Sequence, residues 1–136
     1  MSETSYHQAG DRVRAMILPW PPSANNYLRH TARGTYRTPK ANAYRDLLAL
    51  SLCGAGERPL AGPLRVQLDC YPPDRRRRDI DNLAKVLFDA LTGWVWTDDS
   101  QVKELRVRLH DQVDQEGGSV WCVVSAATDR TTTTKG

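Results

Sequence analysis

No apolar run in the 136-residue chain approaches the roughly 20 residues that a membrane-spanning helix needs, so a helical span is not expected. The first fourteen residues, MSETSYHQAGDRVR, are polar and lack the apolar segment of a secretory leader. A cytoplasmic location is the resulting expectation. Cysteine is scarce: Cys53, Cys70 and Cys122 are scattered, odd in number and without a C-x-x-C pair. That pattern predicts reduced, buried thiols and no disulfide framework. The three histidines (His7, His30, His110) have no ligand-like spacing, so no zinc site is expected. There is one phenylalanine, Phe88, and no internal repeat.

What is present is the composition of a globular domain, with 40% apolar and 26% charged residues. A chain of this length is ordinarily one domain with a core of its own. The formal net charge of +3 is too small to name a partner. Its distribution is more telling. Arg12, Arg14, Arg29, Arg33, Arg37, Lys40 and Arg45 fall in one segment flanked by Asp11 and Asp46, and Arg75, Arg76, Arg77 and Arg78 stand together. Such clusters suit a polyanion, although a solvated basic face is the commoner explanation for any one of them.

The periodicities change in a readable order. Val13, Ala15 and Ile17 alternate over 12–18 and predict a strand, which Pro19, Pro21 and Pro22 stop. Residues 19–38 read as a long loop with a short hairpin around Arg33-Gly34. Loops of that length in a compact domain tend to be functional. Thr38-Pro39 has the form of a helix start, with threonine as N-cap. Tyr44, Leu47, Leu48, Ser51 and Leu52 supply a stripe, and Gly54 a stop. Leu64, Val66, Leu68 and Cys70 alternate with polar residues as a half-buried strand ending at Pro72-Pro73. A second helix starts near Asp79, with Leu83, Val86, Leu87, Ala90 and Leu91 on one face and Gly93 at its end. Leu105, Val107 and Leu109 predict another strand and Val120–Ser125 the last, with Gly117-Gly118 inviting a hairpin between them. The expectation is an α+β (mixed α/β) single domain: a mixed four-stranded sheet packed by two main helices. Residues 1–11 read as a flexible arm and 127–136 as a disordered polar tail.

Two acids at the second helix start follow four arginines. Aspartate is a good N-cap, acids favour the first turn, and Asp81–Lys85 has ordinary i, i+4 spacing. One cap, however, needs one aspartate; Asp79, Asp81 and Asn82 together exceed it. Phosphodiester cleavage needs a metal that activates water and steadies the leaving oxygen, and Mg²⁺ takes a few carboxylates and keeps waters. Asp79 and Asp81 offer such a pair where the backbone turns into a helix. Lys85 supplies positive charge for the phosphate or for positioning water. Asp98-Asp99 offers a third carboxylate just past the helix end, or alternatively an acidic surface turn. Arg75 to Arg78 can each form a bidentate phosphate contact. Trp94 and Trp96 either pack the helix end or stack on bases.

With these residues the chain resembles the RusA family of Holliday-junction resolvases, the crossover junction endodeoxyribonucleases. The resemblance rests on Leu18-Pro19-Trp20-Pro21-Pro22-Ser23 with Asn25, Asn26, Arg29 and His30, and on Ala43-Tyr44-Arg45-Asp46. It continues in Pro73–Leu83 with Lys85, in Phe88-Asp89-Ala90-Leu91, and in Trp96, Asp98-Asp99 and Gln101-Val102. It covers roughly residues 16 to 126, so 12–126 is expected to be one RusA-like endonuclease domain. The resemblance implies a homodimer that resolves four-way DNA junctions by paired symmetric nicks with Mg²⁺ (or Mn²⁺), in recombination and repair. By position it implies Asp79, Asp81 and Asp99 as metal-binding acids and Lys85 as a catalytic lysine. Arg75, Arg76, Arg77, Arg78, Asn25, Arg29, His30 and Asn82 would lie along the DNA. One departure is visible: the segment from Leu91 to Asp98-Asp99 is one residue shorter than the family pattern.

Three other readings stay open on sequence alone. A non-catalytic binder of branched DNA would not need the acids at 79, 81 and 99. A nuclease acting on flaps or forks would keep the same residues. A phosphotransferase using Asp79-x-Asp81 would place its first acid at the end of an apolar strand, but four arginines intervene here.

Overall fold

The computed structural model describes residues 13–53 and 58–127, excluding the side chains of Val13 and Cys53. The expected arm, the stop at Gly54 and, apart from Ala127, the expected tail lie outside the described residues. The described order is β1 (Val13–Pro19), α1 (Ala24–Tyr27), β2 (Leu28–Thr31), β3 (Gly34–Arg37), α2 (Pro39–Cys53) and β4 (Leu64–Tyr71). Then come α3 (Ile80–Leu91), a 3-10 turn (Asp99–Gln101), β5 (Val102–Leu109) and β6 (Ser119–Ala126).

The main sheet is mixed, as expected, with strand order β1-β6-β4-β5. β4 and β5 are parallel, and α3 makes the crossover that such a pair requires. The β1–β6 and β4–β6 pairs are antiparallel. One face of the sheet carries the core: Leu64, Val66, Leu68 and Cys70 from β4, and Val120, Cys122 and Val124 from β6, all buried. The stripe of α3 packs onto it through Leu83, Val86, Leu87, Ala90 and Leu91. Each such leucine contributes about 2 kcal/mol by leaving water. Burial pushes the Cys70 and Cys122 thiols up to about 12, as expected of inert core thiols. No helix among the described residues is long and apolar enough to cross a membrane.

The hairpin expected around Arg33-Gly34 is present as β2–β3, and the loop expected over 19–38 also holds the one-turn α1. Two further sequence expectations need correction. The stripe of α2 is narrower than expected: Tyr44, Leu48 and Leu52 are buried at four-residue spacing, whereas Leu47 falls off that line and is 47% exposed. Finally, β5 and β6 do not form a hairpin, because β4 lies between them. Their connection crosses the end of β4 and bonds to it through His110 N to Cys70 O and Asp114 N to Pro72 O. Gly118, at φ +81°, is needed for this close pass: a Cβ there would sit 2.8 Å from Pro73 Cδ and 3.0 Å from Trp20 Cβ.

Candidate active site and nucleic-acid interface

Asp79 stands at the N-cap position of α3 in extended conformation, yet its side chain makes no capping hydrogen bond. It accepts instead from Asn82 Nδ2 at 3.3 Å. The Asp81 carboxylate accepts from the Asn82 backbone N–H at 3.0 Å. Asn82 thus touches both acids and ties them to one helical turn, and capping does not account for Asp79. All three residues are exposed. Lys85 lies one turn on, exposed, with no hydrogen bond or ion pair to another described residue.

The arginine run divides by role. Arg78 braces the loop: its Nη1 donates to the carbonyls of Asp74 and Arg76 at 3.0 Å each, and its Nη2 to Asp74 Oδ1 at 2.9 Å. Its guanidinium also lies 5.3 Å from the Trp20 ring centre. The Arg76 N–H and then Arg78 hold the Asp74 carboxyl below its ordinary range. Arg75 and Arg77 are exposed and have no described protein partner. The Arg78 guanidinium therefore builds the turn, whereas Arg76 joins it through its backbone and keeps an 83% exposed side chain 3.8 Å from Asp74, so Arg75, Arg76 and Arg77 all stand open to an anion.

The proline-rich segment faces this loop. Asn25, Arg76, Arg77, Arg78, Asp79 and Asn82 share the lining of one cavity of about 400 Å³ with Trp20 and the apolar side chains beneath them. Arg29 and His30 lie farther along, exposed on β2, where His30 Nδ1 is 3.0 Å from Thr35 Oγ1. The segment is fixed from behind. Tyr44 donates to Pro19 O at 2.6 Å, and Thr38 bridges its own helix start (Ala41 N to Oγ1, 3.1 Å) to Asn26 O (2.5 Å). The threonine cap expected at Thr38 is present and does double duty.

Asp89, two turns on from Asp81 along α3, is a structural hub. Arg37 donates to it through Nε and Nη2 at 2.8 and 3.0 Å, and the buried Tyr27 donates its hydroxyl at 2.5 Å. Burial acts to raise the Asp89 carboxyl, but the Arg37 and Tyr27 hydrogen bonds outweigh it and hold it below the ordinary range. Arg45 of α2 donates to the carbonyls of Asp89 and Thr92 (2.5 and 3.3 Å), placing a cation at the C-terminal end of α3. Sequence reasoning noted Tyr44-Arg45 and Asp89 only as parts of a motif; the structure shows them clamping the hairpin and α2 to α3.

A depressed carboxyl stabilises the fold above its unfolded pKa, and that contribution fades as pH falls through the lower folded value. Asp89→Asn should therefore lose about 2 kcal/mol at pH 7. The gap from the parent should narrow below about pH 4, where the unfolded carboxylate protonates. Thermal melts of both chains from pH 7 to pH 3 measure this. A gap that does not depend on pH would remove the ionic part of the account.

Asp98 and Asp99 are held differently. Ser100 Oγ donates to Asp98 Oδ2 at 2.6 Å, closing the turn. Asp99 Oδ1 lies 2.9 Å from the Thr92 hydroxyl, which accepts from the buried Trp96 indole N–H at 2.8 Å. Trp96 is therefore a core residue. Thr92 follows the last turn of α3, whereas Asp79 precedes the first. The twelve residues between span about 18 Å. The third acid was expected just past the helix end, and Asp99 is held there. Among the described residues no three His, Cys, Asp or Glu side chains converge on one ion position. The paired oxygens of Asp79 and Asp81 suit a hard cation that keeps waters; Asp99 of the same chain does not join them.

Paired acids at a helix start, a lysine one turn on and exposed arginines at a cleft mouth supply the charges that a metal ion and an anionic, phosphate-bearing substrate would need. The chain belongs to the RusA family of endodeoxyribonucleases. Residues 19–120 match the family model described as Endodeoxyribonuclease RusA. The chain is 48% identical to the crossover junction endodeoxyribonuclease RusA of Enterobacteria phage 82 over 94 residues, 68% of this chain and 78% of that protein. It is 46% identical to the crossover junction endodeoxyribonuclease RusA of Escherichia coli K12 and 45% identical to that of Shigella sonnei Ss046. Each match spans 95 residues, 68% of this chain and 79% of the relative. Membership makes the chain a nuclease of a divalent-metal-dependent, branched-DNA-binding family.

Proposed function

We propose that this chain is a Mg²⁺-dependent (or Mn²⁺-dependent) endonuclease that resolves four-way DNA junctions in the cytoplasm, as a homodimer, by paired symmetric nicks in recombination and repair. The observation that carries the reading is the Asp79–Asn82–Asp81 cluster: two carboxylates joined by one asparagine, one of them at a cap position it does not use as a cap. The names of the relatives support the substrate.

Asp79 and Asp81 would hold the cation from one chain. A bound divalent ion supplies a water of lowered pKa and charge against the scissile phosphate. Asn82 fixes the orientation of both carboxylates. Lys85 faces the phosphate with a charge that no described protein group neutralises. Arg75 and Arg77 draw the backbone in, with Arg29 and His30 continuing the track and Asn25 standing at the cleft beside it, while Arg78 shapes the loop. Asp99 stands about one helix length from the pair, so a role for it at the same ion requires the Asp99 of a second chain. A two-fold dimer supplies it twice and places two sites against a two-fold junction.

Replacing Arg75 and Arg77 with alanine should weaken junction binding and lower the slope of log K against log salt. The expected loss is about 0.9 for each phosphate contact removed. Titrations of a synthetic four-way junction at several salt concentrations, without divalent metal, measure it. An unchanged slope would assign both side chains a role away from the DNA backbone.

A further inference from the structure

The cavity between the proline-rich segment and the arginine loop has arginines that suit a phosphate, and beside them a floor and a set of carboxamides that phosphate binding does not explain. Its floor is apolar, made by Pro21, Leu83 and Val86, all buried, with Trp20 at one side. Arg76, Arg77 and Arg78 bound it on the loop side, three carboxamides, Asn25, Asn26 and Asn82, stand around it, and Asp79 lies at its edge. The side chains of Asn25 and Asn26 make no hydrogen bond with another described residue. A phosphate needs donors alone and is repelled by a carboxylate. A carboxamide carries a donor and an acceptor together, the pattern that pairs with a base edge. A cavity of about 400 Å³ with an apolar floor and a polar rim is a pocket for a flat, partly apolar ligand held beside a phosphate.

We propose that this cavity receives one unstacked nucleobase flanking the scissile phosphate, and that Asn25 and Asn26 read its edge. The inference rests on the junction-cleaving reading above and adds where sequence preference resides. Asp79 belongs to both the cavity wall and the acid pair, so a phosphate held by the acids leaves its neighbouring nucleoside beside the cavity. The reading groups are pre-set: α1 is a single turn, yet Thr38 holds the Asn26 carbonyl, the Thr38 N–H donates to Tyr27 O, and Tyr27 is locked to Asp89. A four-way junction offers bases at its branch point whose stacking is already interrupted, which lowers the cost of withdrawing one.

The test is a double-mutant cycle between side chain and base. Wild type, Asn25→Ala and Asn26→Ala cleave mobile-core-free four-way junctions carrying each of the four bases, or an abasic residue, at the two positions on each side of the cut. At one position wild type should discriminate among bases by roughly 5- to 150-fold, the range of a bidentate base contact, and an alanine variant should discriminate less than 3-fold. With the base removed there, wild type and variant should cleave at rates within 2-fold of each other. Additive effects at every position, with the wild-type preference intact in both variants, would overturn the proposal. A uniform loss on all sequences, abasic included, would also overturn it and assign the asparagines to the DNA backbone. Failure of the wild-type chain to cut any intact junction would instead count against the junction-cleaving reading.

Discussion

Chains carrying Asp81→Asn and chains carrying Asp99→Asn, each inactive alone, should regain cleavage when refolded together. The reasoning is geometric. Asp81 opens α3 and Asp99 is hydrogen-bonded beyond its other end, across about 18 Å of helix. If one ion uses both, they come from different chains. A mixed dimer then has one site that lacks both acids and one that lacks neither. Random pairing makes half the dimers mixed, so about a quarter of the wild-type sites return. The product should also change: an isolated nick in place of the paired cut. Electrophoresis of a junction labelled on two opposing strands distinguishes the two. A mixture no more active than its components would place all working acids in one chain and leave Asp99 outside the metal site.

The second large effect belongs to Asp81 itself. Asp81→Asn keeps the shape and can still accept from the Asn82 N–H through its amide oxygen, but it removes one negative charge from the ion position. Cleavage should fall by at least about 10²–10³-fold, the loss expected when one preorganised charge is removed from a reacting centre. Junction binding in the absence of divalent metal should hold or tighten, because an acid next to phosphate is gone. Fold stability should stay within about 0.5 kcal/mol, as for an exposed site. Undiminished cleavage by this variant would dismiss the acid pair as the reacting centre.

Much of this was visible in the chain before its structure. The alternation on β4 and the stripe on α3 depend on residues two to four apart, so local pattern reports them directly. The acids and arginines were visible because they are contiguous. What sequence reading missed is held by distant partners. Tyr27 and Asp89 are 62 positions apart, and Arg37 and Asp89 are 52. Nothing near Asp89 distinguishes it from a solvated acid on a polar face, yet it closes the clamp behind the site. The free and the structural arginines were equally indistinguishable, since only the turn at Asp74 decides which guanidinium folds back. Asp99 was legible as an acid just past the end of α3, but the Thr92 hydroxyl and the buried Trp96 indole that hold it there were not. The one residue missing between Leu91 and Asp98-Asp99 does not detach the segment, because Thr92 and Trp96 anchor Asp99 and Ser100 closes the turn on Asp98.

The same clamp connects stability to function. Arg45, Asp89 and Tyr27 touch no substrate in this account, but they set where α1 and the hairpin stand relative to α3. The cavity lies between those elements, so a loss at Asp89 would loosen the wall that carries Asn25 and Asn26. Stability and sequence preference should therefore fall together in Asp89→Asn, and separately in Asn25→Ala.

The most direct measurement is cleavage by the wild-type chain of matched four-way, flap and duplex substrates, with and without Mg²⁺. The account predicts paired nicks in the four-way junction alone, only when Mg²⁺ is present. Equal cutting of flap or duplex, or binding to the junction without any Mg²⁺-dependent cut, would contradict it.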